Sequence, residues 1–259
     1  MCSFKLRRWV LILCLAAVGF PAARGEIDPG TIVALWLFDE GTGKEVEDSS
    51  GNGHKAVLKD GAPNWVRGKY GGGFEFTGVE YFEVENSAAE LSFGGTKPFS
   101  ITAWALPRGG GYVVTKFNRH VIGEYILMIT GSNTVLFHRE VAPWGLSGTK
   151  PLTPGEFGHV AITYDGKKMR IYVNGELDVE QDRGAQNTDL TTPVLIGGRF
   201  INGKPDPSDR FKGILDEVAI FNVALTQEQI EEVMKGLAPA KAVSPLTKLT
   251  TVWGEIKRR

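Results

Sequence analysis

The chain has 259 residues, of which 42% are hydrophobic and 23% are charged, with 33 glycines and 13 prolines. This composition excludes a disordered chain, because it is too apolar, and a collagen-like chain, because it has too little proline. The formal net charge is −1, but residues 26–234 carry 19 basic and 29 acidic side chains, a net charge of −10. Such an acidic surface repels polyanions, so the charge argues against nucleic-acid binding as the function.

Residues 1–25 have the three parts of an export signal. A basic start, residues 1–8, is followed by the apolar run Val10–Phe20 and by small residues that suit cleavage before Glu26. The run has 11 residues, short against the roughly 20 needed to span a bilayer, so cleavage is favoured over a membrane anchor. A lipoprotein signal at Cys14 is rejected because that cysteine lies inside the run. We therefore predict a signal peptide over residues 1–25 and a secreted protein, extracellular or periplasmic, without a membrane span.

Both cysteines of the chain, Cys2 and Cys14, fall within the predicted signal. The mature chain would then have no disulfide, no thiolate metal site and no cysteine nucleophile. A domain of about 210 residues without disulfides depends on its hydrophobic core, and that length is sufficient for one large core.

Short strands separated by turn residues dominate the next part of the chain. They are rich in Val, Ile, Tyr, Phe and Trp, and several alternate apolar and polar side chains, as half-buried strands do. Asp165-Gly166 and Asn174-Gly175 favour tight hairpin turns. No helical stretch separates the strands, so we predict an all-β fold, an antiparallel two-sheet sandwich. The candidate strands are Ile32–Phe38, Gly73–Phe76, Glu80–Glu85, Phe99–Leu106, Gly111–Phe117, Glu124–Ile129, Thr134–Arg139, His159–Tyr164, Lys168–Val173, Val194–Ile196 and Phe211–Phe221.

One short helix is predicted near the C-terminus. Thr226 and Gln229 have the spacing of a capping box, the apolar side chains that follow share one face, and Gly236 ends the helix. Residues 238–259 contain two prolines and end in three basic residues. We therefore predict one domain over residues 26–237, followed by a linker and a basic tail.

Eight motifs occur in the order found in one known family. The chain resembles the laminin-G-like, concanavalin A-like jelly roll domains of exported bacterial-type proteins over about Ile32–Leu237. This resemblance implies two curved antiparallel sheets with the first and last strands as neighbours, but no single function. The motifs are ALWLFDEGTG at 34–43, DSSGNG at 48–53, GGFEFTG at 72–78, YFEV at 81–84, FSITAWA at 99–105, HVAITYDG at 159–166, IYVNGEL at 171–177 and GILDEVAIFNVAL at 213–225.

An oxygen-rich loop at residues 48–53 is the candidate metal site. Asp48 and Asn52 place oxygen donors on either side of a glycine bend, a pattern that suits calcium. If the first and last strands are neighbours, Asp39 lies near Asp216, and crowded carboxylates favour a bound cation. The predicted calcium ligands are Asp39, Asp48, Asn52 and Asp216. The same residue types also form plain turns, so calcium binding and an ordinary turn stay equally open.

No catalytic arrangement is predicted. Glu83 and Glu85 share a strand face about 7 Å apart, within the range of glycosidase carboxylates. However, the acidic run of the family's glucanases has a middle aspartate that is missing here. The alternation also fits an ordinary strand with one face in water, which we favour strongly. The histidines lack metal-binding spacing, and neither GxSxG nor HExxH is present. We therefore expect no enzyme activity.

Two loops carry aromatic residues that have no framework role in the family. Trp144 lies in the first loop, and Arg199 and Phe200 lie in the second. An exposed ring stacks on a sugar face or anchors a protein contact, whereas a ring folded over a sheet edge serves packing, and both alternatives stay open. The predicted ligand-binding residues are Trp144, Arg199 and Phe200.

The sequence therefore predicts an exported, non-catalytic binding module, a monomer, that recognises a glycan or an extracellular protein through loops at one rim. A structural or adhesive exoprotein without a small ligand is the alternative, and a glycosidase on the same fold is less favoured. The acidic composition leads us to expect neutral glycans rather than sulfated or uronic ones.

Overall fold

The structure, a computed structural model, describes residues 25–237. The predicted signal peptide, apart from Gly25, and the predicted linker and tail of residues 238–259 lie outside the described residues. A short 3-10 turn at Pro29–Thr31 precedes the first strand, and two helices follow, α1 (Ser87–Glu90) and α2 (Gln227–Val233). The strands are β1 (Ile32–Trp36), β2 (Glu45–Val46), β3 (Ala56–Asp60), β4 (Trp65–Arg67), β5 (Gly72–Thr77), β6 (Tyr81–Val84), β7 (Phe99–Arg119), β8 (Ile122–Ile129), β9 (Val135–Arg139), β10 (Gly145–Ser147), β11 (Gly158–Tyr164), β12 (Lys168–Val173), β13 (Glu176–Asp182), β14 (Leu195–Ile196), β15 (Phe200–Ile201), β16 (Lys204–Pro205) and β17 (Lys212–Phe221).

The first sheet is built around the last strand, β17. β7 pairs with one side of β17, while β5 and β1 pair with its other side, beside its N-terminal and C-terminal halves. β4 extends this sheet beyond β5, and β11, β12 and β13 extend it beyond β7. All of these pairs are antiparallel. The pairing of β1 with β17 confirms that the first and last strands are neighbours.

The second sheet has the order β2, β3, β6, β14, β7, β8, β9, β10, with every pair antiparallel. The hairpin of β15 and β16 lies beside the end of β7, to which β15 runs parallel. The predicted antiparallel two-sheet sandwich is therefore confirmed.

The long strand β7 belongs to both sheets. Gly110 pairs with Lys212 of β17 in the first sheet, and Gly111 pairs with Ile129 of β8 in the second. The sequence predicted two separate strands here, and that prediction was wrong. The two glycines adopt φ angles of +71° and +122°, which suit glycine, so the strand changes sheets without losing its pairing.

The core lies between the sheets and is rich in aromatic rings. Phe74 contacts Phe82 edge to face at 4.8 Å between ring centroids, and Phe38 contacts Phe82 in the same way. Trp36 is fully buried, and its indole Nε1 donates to the carbonyl of His54 at 2.7 Å. Buried rings with a satisfied polar atom are the kind of core that holds a domain without disulfides.

A second apolar cluster covers part of the outer face of the first sheet, and helix α2 completes it. Ile230 and Val233 of the helix pack there with Leu35 and Phe221. The predicted capping box is confirmed: Thr226 Oγ1 accepts from the Gln229 amide, and the Gln229 side chain accepts from the Thr226 amide. The C-terminal helix is thus part of the domain.

Candidate binding site at one rim of the sandwich

A loop segment covers the middle of the outer face of the second sheet. We call residues 198–210 the strap. Thr115 Oγ1 donates to the carbonyl of Gly198 at 2.7 Å, which anchors the beginning of the strap on β7. The Arg210 guanidinium lies 4.9 Å from the ring centroid of Tyr81 and anchors its end. Because Thr115 and Tyr81 are buried, this part of the sheet does not offer an open binding face.

Arg199 belongs to the internal structure of the strap. Its side chain is only 8% exposed, and its Nε and a terminal nitrogen both lie 2.8 Å from Asp206 Oδ2. The guanidinium also lies 4.7 Å from the ring centroid of Tyr112. The sequence analysis expected Arg199 to offer its guanidinium to a ligand. Asp206 engages two of the three guanidinium nitrogens, and a contact of Arg199 with a ligand stays a prediction.

Trp144, unlike Arg199, is exposed to solvent. It lies in the loop between β9 and β10, and its side chain is 53% exposed. It is the only aromatic residue among the exposed large apolar residues in the part of the chain that the structure describes. Its ring lies nearly parallel to the imidazole of His138, at an interplanar angle of 14° and 6.4 Å between centroids. The exposure that a binding role requires is present, and the role itself stays a prediction.

His138, the neighbour of the Trp144 ring, is fixed by contacts of its own. His138 lies edge to face against Phe117 at 5.0 Å, and its Nε2 lies 3.0 Å from Glu140 Oε2. Burial lowers the pKa of His138 and the charge of Arg199 lowers it further, against the opposing effect of Glu140. We call Trp144, His138, Phe117 and Glu140 the Trp144 platform.

Phe200 lies near the Trp144 platform. In β15 it pairs with Asn118, the residue that follows Phe117, and it is half-buried. The structure therefore brings Trp144, Phe200 and Arg199 to one rim of the second sheet, although only Trp144 is strongly exposed. Sequence reasoning missed His138, Phe117 and Glu140. Alternation along β9 places His138 on the outer face, but its neighbours come from another strand and are not visible in the local sequence.

Asp48 and Asn52, two of the predicted calcium ligands, organise their own loop. The Asp48 carboxylate accepts from the backbone amides of Leu35, Ser50 and His54 at 2.9–3.0 Å. The side-chain amide nitrogen of Asn52 donates to the backbone carbonyl of Val33 at 3.1 Å. Although burial acts to raise it, these amides and the Ser50 hydroxyl hold the pKa of Asp48 below its usual value.

The other two predicted ligands lie at a different turn. Asp39 accepts from the amide of Gly72 at 2.6 Å, and Asp216 accepts from the amide of Tyr70 at 2.8 Å. Burial raises the pKa of Asp216 to about 7, with a further contribution from the charge of Glu217. Within residues 25–237, no group of three or more His, Cys, Asp or Glu side chains is arranged to hold a metal ion. The four residues thus serve two separate turns, and calcium binding stays a prediction.

Two acidic residues of the predicted strand Glu80–Glu85 have structural partners, and the histidine His159 is shielded from solvent. Glu80 accepts from the amide and hydroxyl of Thr77, and Glu83 lies 3.8 Å from Lys59. His159 is fully buried, and burial lowers its pKa to about 3.

The fold and the comparisons with known proteins agree on the family. A laminin G family model, described as the concanavalin A-like lectin/glucanases superfamily, matches residues 76–231. The chain belongs to this superfamily. Mouse (Mus musculus) pappalysin-1 is 30% identical over 112 residues, a match that covers 40% of this chain and 6% of that protein. The chain thus spans a small fraction of that relative.

Solved structures show the same fold at low sequence identity. Domain 4 of the extracellular arabinanase AbnA from Geobacillus stearothermophilus, in complex with arabinotriose, superposes with a TM-score of 0.57 at 18% identity, covering 78% of this chain and 98% of that domain. The binding domain of Paraclostridial Mosquitocidal Protein 1 superposes with a TM-score of 0.62 at 13% identity, covering 79% of this chain and 52% of that one. The botulinum neurotoxin DC binding domain, in complex with rat synaptotagmin II, superposes with a TM-score of 0.58 at 15% identity. This match covers 82% of this chain and 53% of that one. No helix within residues 25–237 is long and apolar enough to cross a membrane.

Proposed function

We propose that this chain is an exported, monomeric, non-catalytic module that binds a glycan at the Trp144 platform. The observation that carries the proposal is the half-exposed Trp144 ring, which lies nearly parallel to the imidazole of His138. A flat aromatic ring supported from behind suits the apolar face of a sugar ring. The nearby Glu140 carboxylate supplies an acceptor for sugar hydroxyl groups. Export is supported by the predicted signal over residues 1–25.

The comparisons support a binding module in general terms. One similar structure is a domain in complex with arabinotriose, and others are binding domains of toxins. Protein recognition is the second candidate, because a similar domain binds synaptotagmin and an exposed tryptophan is also a typical anchor in protein interfaces. A structural or adhesive exoprotein without a small ligand is the remaining alternative.

The experiment is a Trp144→Ala variant of the full chain. It is first compared with the parent on an array of oligosaccharides, including arabinotriose, and matrix proteins, and then by calorimetric titration of the strongest glycan. We expect a loss of about 1–3 kcal/mol of binding free energy, because a central aromatic anchor is removed. The melting temperature should not change, since the ring is 53% exposed. The control is Val79→Ala, which truncates an apolar side chain that is 48% exposed in another loop.

Each outcome separates the alternatives. Glycan binding that survives Trp144→Ala contradicts the proposed site, and a melting temperature well below that of the parent assigns the ring to packing. Loss of protein binding with no glycan binding favours the second candidate. An array without any specific ligand favours the structural or adhesive exoprotein.

A further inference from the structure

Two arginines next to the Trp144 loop are buried without a carboxylate partner. Arg139 is 0% exposed and Arg183 is 5% exposed. Within the described range of residues 25–237, neither guanidinium forms an ion pair with Asp or Glu. Burial lowers the pKa of Arg139, contacts with Tyr164 and the charge of Glu124 act to raise it, and the charge of Arg183 lowers it further. Burial of unpaired like charges is costly, so this pair requires an explanation.

Arg139 is held by carbonyl groups and an aromatic ring. Its terminal nitrogens donate to the carbonyls of Gly184 and Gly95 at 3.0 and 2.9 Å. The guanidinium carbon lies 3.4 Å from the ring centroid of Tyr164. The Tyr164 hydroxyl in turn donates to the Gly184 carbonyl at 3.0 Å. These contacts fix the position of the cation, and the charge of the buried Glu124 compensates it in part.

Arg183 connects the Trp144 loop to the end of β13. Its terminal nitrogens donate to the carbonyls of Gly145 and Asp182 at 3.1 and 3.0 Å. Among the described residues, the Nε atoms of both arginines are buried without a hydrogen-bond partner. Arg183 also lines an open groove, and because the residue is only 5% exposed, its positive charge lies beneath the groove surface.

The groove has a volume of about 550 Å³ and is lined by Ala142, Gly166, Lys167, Lys168, Asp182, Arg183 and Gly184. Lys168 is neutralised by Glu180 at 2.5 Å, with Asp182 at 3.9 Å. Lys167 is exposed, and none of its side-chain contacts with the described residues is an ion pair. Among the lining residues, Lys167 and Arg183 therefore outnumber the single weakly engaged carboxylate of Asp182. The groove is positive, although the domain around it is acidic.

We propose that this groove binds an oxyanion, a carboxylate or sulfate group, carried by an acidic glycan that extends over the adjacent Trp144 loop. Guanidinium groups that are already oriented and partly dehydrated favour such anions, because little entropy is lost when the anion binds. The groove is open enough to admit a charged group, and two of its lining residues, Gly166 and Gly184, have no side chains to obstruct it. An anion there compensates the buried charge.

That the anion belongs to a glycan rests on the proposed function, whereas the affinity of the groove for an oxyanion does not. An acidic glycan as ligand is the opposite of the sequence-based expectation of neutral glycans, which rested on the net charge of the domain. The net charge of the domain acts on a ligand over long distances, where salt screens it, whereas the charges of the groove act on the ligand at contact distance. Sulfated and uronic glycans share the required chemistry, and the experiment separates them.

The first experiment titrates the ¹⁵N-labelled full chain with sodium sulfate and, separately, sodium acetate, against sodium chloride at constant ionic strength. We expect saturable shifts of the amide resonances of Gly166, Lys167 and Gly184 in the NMR spectrum. Lys167→Glu reverses one charge at the groove surface and should weaken the apparent affinity by about tenfold. The control is Lys44→Glu, an equal change at an exposed lysine in the turn that precedes β2, which should leave the affinity unchanged.

The second experiment compares matched glycans by calorimetric titration. Oligogalacturonate is compared with its methyl ester, and a heparin oligosaccharide with its desulfated form, on the parent and both variants. Preference for either charged form that is lost in Lys167→Glu and kept in Lys44→Glu supports the proposal and identifies the anion. Shifts scattered over the surface, or equally reduced by both variants, overturn it. Glycan binding that is indifferent to charge also overturns it but leaves the proposed function intact. Sulfate binding in the groove without any glycan binding supports the groove and contradicts the proposed function.

Discussion

Asp216 lies in a row of buried polar side chains on the outer face of the first sheet. It pairs in register with Trp104 of β7, which pairs with His159 of β11. Within the described residues, Asp216 Oδ1, Trp104 Nε1 and both ring nitrogens of His159 are buried without a hydrogen-bond partner. Lys69 Nζ lies 4.5 Å from the ring centroid of Trp104. Buried groups of this kind couple stability to pH.

We predict that Asp216→Asn makes the protein more stable at pH 8. In the folded protein burial raises the pKa of Asp216 to about 7, from 3.8. The stability that this carboxyl contributes is complete below pH 4 and is lost as the pH rises through 7. An asparagine still accepts from the Tyr70 amide but does not ionise. The unfolding free energy of the variant minus that of the parent should therefore increase by about 1–3 kcal/mol between pH 4 and 8.

The difference between the two proteins isolates Asp216, because His159 is present in both. Burial lowers the pKa of His159 to about 3, so its contribution has the opposite sign and is lost as the pH falls below 6.5. Urea unfolding at several pH values supplies the measurement. A difference that stays constant from pH 4 to 8 would show that Asp216 titrates normally in the folded state.

At the scale of single elements, the 48–53 loop gives the calcium prediction its sharpest test. Calcium bound to the native state alone stabilises it by about 2.7 kcal/mol at a hundredfold excess over Kd. The melting temperature should then fall with a chelator and recover with calcium but not with magnesium, which keeps its waters. Asp48→Ser should remove the response, because it replaces the carboxylate of the loop. If the parent melts at one temperature with or without chelator, the loop is an ordinary turn held by Asp48.

Strands with strong local signals were predictable. The hairpin of β11 and β12 lies where Asp165-Gly166 placed a turn, and the capping box placed helix α2. β14 lies within the predicted strand Val194–Ile196, whereas β2, β15 and β16, with two residues each, are too short for alternation to show. β13 was missed because its burial and composition are those of a charged edge strand. The glycines in β7 were interpreted as a break, although pairing with distant strands continues across them.

The candidate site was predictable only in part. Trp144 stood out because an aromatic residue in a loop is unusual. The burial of Arg199 was not visible, because it depends on how the strap turns back to bring Asp206 to the guanidinium. Arg139 ends β9 and Arg183 directly follows β13, so the two buried arginines lie far apart in the sequence. Contacts of this kind depend on sheet order, which one sequence does not reveal.

In the molecule as a whole, both outer sheet faces are partly covered. The strap covers the middle of the second sheet, and helix α2 packs on the first. The proposed function therefore places recognition at the loops of the rim, where the Trp144 platform and the proposed anion groove lie on either side of one loop. The core supplies a rigid base, and the rim supplies the variable surface.

The central claim, that the chain binds a glycan at the Trp144 platform, is tested most directly by an NMR titration. The ¹⁵N-labelled full chain is titrated with the strongest glycan from the array, and Trp144→Ala identifies the indole Nε1–H resonance of Trp144. The account predicts saturable shifts of that indole resonance and of the His138 and Glu140 amides, with little change in helix α2. Saturable shifts centred on any other surface, with the Trp144 resonance unmoved, would contradict it.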